Sequence, residues 1–276
     1  MNFTPAVDVL VIAMPLAYAM LIILYGRAFF AGNRKAEELA PRALMTVVLL
    51  HFLYVGLRTA AFDHPPVTTV FEIMTMLALC ISVAYLYIEM RTGTSSTGFF
   101  ILSLALLFQV TSSTFIRDPG ELDPILRSNL LGFHVTSALL GYTAISLSAV
   151  YGFLYLLLYR EIRTSNLGLI YSRLPNLETL EKMSYKAMVF GFLMVTTAIL
   201  IGSIWLPRAF PSFSLWDGKL IGTMLVWLLY AAALTANKAL GWQGRKTIIL
   251  SLLAFGCLVL EMSIINAFGD TFHSFQ

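Results

Sequence analysis

The sequence predicts an all-α, polytopic integral membrane protein of about eight transmembrane helices, with both termini on the outer, periplasmic side. Three observations carry that prediction. Of the 276 residues, 58% are hydrophobic and 12% are charged, at a mean hydropathy of +0.80, where a soluble domain carries about 25% charged residues. Eight apolar stretches approach the length of about 20 residues that a helix needs to cross a hydrocarbon core of about 30 Å. Lys and Arg gather in alternate connections, as the positive-inside rule requires.

The stretches run over 6–26, 43–62, 70–90, 97–116, 129–158, 187–207, 219–238 and 247–268. The first lacks a positive segment before it and a small-residue cleavage site after it, and reads as a retained helix rather than a signal peptide. The fifth is too long for one crossing and is expected to project into solvent near Tyr159-Arg160-Glu161. The connections after the first, third, fifth and seventh stretches hold thirteen Lys and Arg, against five on the opposite side (Arg58, Arg117, Arg127, Arg208 and Lys219). The loops 63–69, 117–128 and 208–218 then lie outside. The largest inside connection, EIRTSNLGLIYSRLPNLETLEKMSYK, carries Leu177, Leu180 and Met183 on one helical face after Pro175, and reads as an interfacial helix. Together the stretches use most of the chain, so residues 1–276 read as a single transmembrane domain with membrane lipid around it.

The formal net charge of +3 is spread through loops rather than gathered in a basic tail, so it does not point to nucleic acid, and no nucleic-acid partner is expected. Cys80 and Cys257 fall inside apolar stretches, far from any CxxC or CxxCH pattern, and read as buried small residues. The chain is therefore not itself a c-type cytochrome. A solute transporter is disfavoured because no internal repeat and no matched pair of broken stretches is visible.

The histidines are the residues with chemistry to offer. His134 lies about one turn into the fifth stretch and His273 follows the eighth, so both belong near the outer surface. Two neutral imidazoles at one level can ligate a haem iron from its two faces. Trp205, Phe210, Phe213, Trp216, Phe268 and Phe272 are of types that flank an apolar macrocycle. The same residues also fit interfacial hydrogen bonding and an aromatic belt, and both readings stand. His51 sits mid-membrane, either functional or bonded to a neighbouring helix. His64, before Pro65-Pro66, reads as a surface residue. Arg58 and Glu72 are close enough in depth to form a structural ion pair. Glu261 reads as a protonated, hydrogen-bonded group or a proton carrier. Asp217 either fixes an imidazole tautomer or caps the helix that follows it.

In order, the segments LLHFLYVGLRTAAFDHPPVTTVFE, FHVTSALLGYTAISLSAVYGFLYLL, LPNLETLEKMSYK, LWDGK, VWLLYAAALTANKALGWQGRK and NAFGDTFHSF resemble those of the cytochrome c assembly membrane proteins, the CcsA, CcmC and HemX-like family. The resemblance runs from about residue 45 onward and implies a haem b at the outer face. His134 and His273 match the two axial ligands of the haem iron, and Trp216-Asp217, with Trp205, match the tryptophan-rich loop beneath it. His51 matches the first of two histidines for a second, intramembrane haem. The position of its partner, in YAAALTAN, is about Thr235. A hydroxyl is a poor ligand for haem iron, so that second haem lacks one axial ligand.

The expected function is therefore a haem-binding membrane protein of cytochrome c biogenesis or haem trafficking, in the bacterial inner membrane or its equivalent. It is expected to act as a carrier, an assembly factor or a synthase subunit rather than a stand-alone enzyme. Its expected partners are haem and either a subunit with a periplasmic domain or an apocytochrome c. Two alternatives remain at this stage. One is an accessory or regulator of haem biosynthesis acting through protein contacts at the inside loop. The other is a haem-bearing electron-transfer subunit of a respiratory complex.

Overall fold

In the computed structural model, residues 4–117, 128–210, 214 and 216–261 are described. They form nine helices and no strands. These are α1 (Thr4–Ala31), α2 (Arg34–Phe62), α3 (Val70–Thr92), α4 (Gly98–Phe115), α5 (Asn129–Arg163), α6 (Leu169–Arg173), α7 (Leu177–Ala209), α8 (Gly218–Ala239) and α9 (Arg245–Leu260). Among the described residues, seven helices are long and apolar enough to cross a membrane: α1 to α5, α7 and α8. The chain is thus a polytopic α-helical membrane protein. The eighth predicted stretch is helical in α9 as far as Leu260, and residues 262–268 of it lie outside the described residues.

Local chemistry sets the helix starts. Side chains of Asn33, Thr69, Asn176 and Asp217 each accept a backbone N–H in the first turn of α2, α3, α7 and α8, satisfying donors that a helix leaves orphaned. At Asn176 this capping has a consequence that differs from expectation. The run containing Leu177, Leu180 and Met183 is not a separate interfacial helix but the opening of the 33-residue α7. No Gly or Pro interrupts residues 177–187, so a helix once capped propagates straight into the membrane stretch. Leu180 is fully buried there.

The helices group into two compact units, residues 1–122 and 123–276. In the first, α1 packs on α2 and α4, and α3 packs on α4 and α2. Its interior is polar to an unusual degree for a membrane bundle. Tyr18 of α1, His51 of α2, Thr75 and Ser82 of α3 and Gln109 of α4 are buried together in one hydrogen-bonded chain. Each bond ties a different pair of helices, in a medium where water cannot substitute.

The second unit is held differently. Its most extensive contact is α5 on α7, with α9 packed on α5 and α8. Two glycines let the α5 and α7 backbones nearly touch. A Cβ on Gly141 would meet Val195 Cγ2 at 2.7 Å and the Val195 backbone N at 3.0 Å, and one on Gly191 would meet Ile145 Cγ1 at 2.8 Å. Small residues at such crossings are how membrane helices gain dispersion contacts without a hydrophobic driving force. Lower in the same helices, Ser148 and Ser184 each donate to the other's backbone carbonyl at 2.9 Å, and Ser251 of α9 lies 3.4 Å from the Ser148 hydroxyl.

Candidate functional site

His134 stands in the second turn of α5, one helical end above the glycine crossing. Its Nδ1 lies 2.8 Å from the Ala198 carbonyl oxygen of α7. A carbonyl only accepts, so Nδ1 carries the proton and Nε2 keeps its lone pair. This is the tautomer, oriented by a backbone oxygen, in which protein imidazoles ligate metals. The Nδ1–Cε1 edge of the ring comes close to α7 because residue 202 is glycine. A Cβ there would stand 2.9 Å from both His134 Cε1 and Nδ1. Ala198 and Gly202 were not marked by the sequence. An Ala–Gly pair one turn apart carries no chemical signature until a ring from another helix is placed over it.

Trp205, one turn beyond Gly202, joins Leu206 and Ala209 in a small core packed against Leu130 and Leu131 of α5, Phe210, and Leu220 of α8. It is 5% exposed and meets Phe210 edge-on, with ring centroids 5.9 Å apart. Trp205 is thus the cornerstone on which the ends of α5, α7 and α8 meet, rather than an open face. Trp216 is the reverse, 85% exposed. Asp217 caps α8, its Oδ1 accepting from the Lys219 N–H at 2.8 Å. Of the two roles open to Asp217, the cap is the one in place. His134, Trp205, Trp216 and Asp217 therefore gather at one end of the second unit, while His273 lies outside the described residues.

Glu261, just past α9, accepts from the Thr223 hydroxyl of α8 through Oε1 at 3.1 Å, and its buried Oε2 has no hydrogen-bond partner among the described residues. The carboxyl ties α9 to α8 near the same end of the unit.

His51 belongs to the first unit and is fully buried. The proton positions around it follow from its neighbours. Gln109 Oε1 only accepts, so Thr75 donates to it at 2.7 Å. The His51 Nε2–H then donates to Thr75 Oγ1 at 3.0 Å, and Nδ1 accepts from the Tyr18 hydroxyl at 3.0 Å. Both ring nitrogens are occupied, and ligation of iron by His51 requires one of these bonds to break. Thr235, the position expected to partner it, is an exposed residue of α8 in the second unit.

The expected ion pair is present. Arg58 gives Glu72 Oε1 two hydrogen bonds, from Nε at 3.2 Å and from a terminal nitrogen at 3.0 Å, with both side chains buried. The same terminal nitrogen donates to the Arg117 carbonyl at 2.9 Å. Glu72 Oε2 accepts from both the backbone and hydroxyl of Thr68. His64, expected at the surface, is instead buried. Its Nδ1 is 2.8 Å from the Pro65 carbonyl oxygen, which also accepts the Val67 N–H at 2.9 Å. The diproline folds the imidazole inward as part of a tight turn.

Among the described residues, no group of three or more His, Cys, Asp or Glu is placed to hold a bare metal ion. A protein-family model described as cytochrome C assembly protein matches residues 67–273. The chain is 25% identical over 291 residues to a cytochrome c biogenesis protein CcsA of Trieres chinensis, covering 94% of this chain and 93% of that one. Proteins of the same description from Mesostigma viride and Prochlorococcus marinus are 24% and 25% identical, each over 94% of this chain and over 94% and 92% of their own lengths.

Proposed function

Because the chain belongs to the cytochrome c assembly protein family, we propose that it takes part in cytochrome c biogenesis by holding haem b at the outer end of its second unit for transfer to a partner. The observation that carries this reading is the His134 imidazole, whose Nδ1–H is spent on the Ala198 carbonyl so that Nε2 keeps the lone pair that iron ligation needs. His273 supplies the second axial nitrogen, Trp216 the exposed aromatic face, and Trp205 the packed support behind it. Asp217 contributes by fixing the start of α8.

A haem iron with two protein imidazoles has no open position for oxygen, which suits delivery better than oxidative chemistry. The residues that do the work are positioning residues. Gly202 makes room for the ring, Ala198 sets its tautomer, and the Gly141–Gly191 crossing holds α5 and α7 at fixed separation. The protein lies in a bacterial inner membrane or its equivalent, with this end and both termini outside, and its two units serve one assembly domain. An apocytochrome c, or a subunit with a periplasmic domain, receives the haem.

The test is the absorption spectrum and pyridine haemochrome of the detergent-purified protein beside His134→Ala and His273→Ala. Low-spin b-type bands that either substitution shifts to high spin support the site. A wild-type protein that takes up no supplied haem ends the proposal.

A further inference from the structure

The end of the second unit opposite His134 is built from the close of α5, the short α6, the start of α7 and the loop between α8 and α9. Its charges are unbalanced. Residues 159–186 hold five Lys and Arg and residues 238–246 three more, against Glu161, Glu178 and Glu181. All eight cations are exposed. The carboxylates are engaged elsewhere. Glu161 Oε2 accepts from the Gly168 and Tyr171 N–H groups at 3.1 and 2.8 Å, which folds α6 back on α5. Glu181 Oε1 accepts from the Gly244 N–H at 2.5 Å, which ties the start of α9 to α7. Glu178 sits in the first turn of α7, where the helix dipole favours a negative charge. Among the described residues, the pairs of Lys or Arg with a carboxylate within 4.0 Å are Arg34–Glu38 and Arg58–Glu72, both in the first unit.

Apolar and aromatic side chains stand among these cations. Leu167, Tyr171, Leu240 and Trp242 are all exposed at this end. The Arg245 guanidinium lies over the Tyr159 ring, 5.8 Å from its centroid, and the Lys246 ammonium lies 5.7 Å from the centroid of Trp242. The Trp242 carbonyl accepts from the Asn237 amide at 2.7 Å and the Thr247 hydroxyl at 3.0 Å, which fixes the loop that carries the ring. Because α5, α7 and α8 are long and apolar enough to cross a membrane, this end meets the bilayer surface. At such a surface Trp and Tyr rings settle at headgroup depth, and Lys and Arg lay their stems on apolar groups with the charge turned to water. The positive-inside rule accounts for the number of cations. It does not account for their separation from carboxylates, nor for the seating of Arg245 and Lys246 on aromatic rings. A free phosphate would meet the charges and leave the leucines in water. A phospholipid with a net negative headgroup meets both, with its phosphate on the cations and its glycerol and upper chains on the apolar residues.

We propose that this end of the second unit is a binding surface for anionic phospholipid headgroups, with Arg245 and Lys246 as its central cations and Trp242 as the ring beside them. Nothing in this surface depends on haem. Lipid held there bridges the start of α9 and the close of α5, which Arg245 and Tyr159 already bring together. It therefore stabilises the second unit only when the headgroup carries net negative charge.

The test is native mass spectrometry of the full-length protein in detergent supplied with equal amounts of phosphatidylglycerol and phosphatidylcholine. Wild type is expected to retain phosphatidylglycerol about tenfold over phosphatidylcholine, and Arg245→Gln/Lys246→Gln to lose that preference. Six Lys and Arg remain at this end to keep the variant's orientation. Its thermal unfolding should match wild type in phosphatidylcholine alone, whereas added phosphatidylglycerol should raise only the wild-type midpoint. The single Gln variants should each lose part of the preference, and they serve if the double variant does not fold. Arg245→Lys/Lys246→Arg, which keeps both charges, should behave as wild type. Arg34→Gln/Lys35→Gln, which removes two exposed cations of the first unit, should keep the preference. Full preference in the Arg245 and Lys246 Gln variants overturns the proposal, as does an equal loss in the first-unit variant, which would reduce the effect to net charge. Displacement of the lipid by millimolar inorganic phosphate overturns it too, since the surface would then read phosphate alone. Equal retention of the two lipids by wild type also overturns it and leaves the cations to an acidic protein partner.

Discussion

His51 and His134 are both histidines of membrane-crossing helices, yet the two units use them in opposite ways. In the first unit the imidazole is a link in a chain of side-chain hydrogen bonds joining all four helices, beside a buried Arg58–Glu72 pair. In the second the helices are joined by close backbone approach at glycines, and the imidazole hangs from one carbonyl at the end of that contact. The lesson is that depth in the membrane does not make a histidine a ligand. What matters is whether its second nitrogen is left over once the fold has used the first.

The comparison is most strongly tested at Arg58. Replacing Arg58 or Glu72 alone with Ala leaves a buried charge unpaired and should lower stability by about 3–5 kcal/mol, read as thermal unfolding in detergent. The joint Arg58→Met/Glu72→Leu variant should recover most of it. If the single substitutions are silent, the polar interior of the first unit is not what holds it.

A somewhat smaller effect is expected at His51. His51→Phe removes two buried hydrogen bonds while Tyr18 keeps Ser82 and Thr75 keeps Gln109 as partners, for a loss of about 2–3 kcal/mol. Haem content per folded protein should stay at the wild-type value, and a fall in it would restore His51 to the list of ligands. Gly202→Ala should show the converse. The new methyl pushes the His134 ring off the Ala198 carbonyl, at a cost of about 1 kcal/mol in stability. Haem affinity should drop about tenfold, roughly 1.4 kcal/mol, with iron moving toward high spin. Equal losses in both properties for both variants would erase the distinction drawn between the units.

Much of this was legible in the chain. Hydropathy and length marked the helices, and the Arg58–Glu72 pair was declared by residue type and depth, while for Asp217 the sequence left the cap and the imidazole contact both open. Three features were not legible. The Leu177 to Met183 run looked like a separate interfacial helix because its amphipathic pattern is real, but pattern does not say where a helix stops. His64 looked exposed because diprolines usually mark surface loops, whereas here the turn folds the ring inward. Ala198 and Gly202 carried no signal, since a small residue becomes a seat only when another helix supplies what sits on it.

The sequence by itself determined a helical membrane protein, the family it belongs to and the identities of the imidazoles, because burial of apolar helices in lipid depends on composition and length alone. Only the tertiary structure decided which imidazole nitrogens remain open. A ring nitrogen is spent or spared by hydrogen-bond partners on other helices, from 24 to 64 residues away for His51 and His134. Bonds of about 3 Å between such distant positions are fixed by packing, not by anything local to the residue.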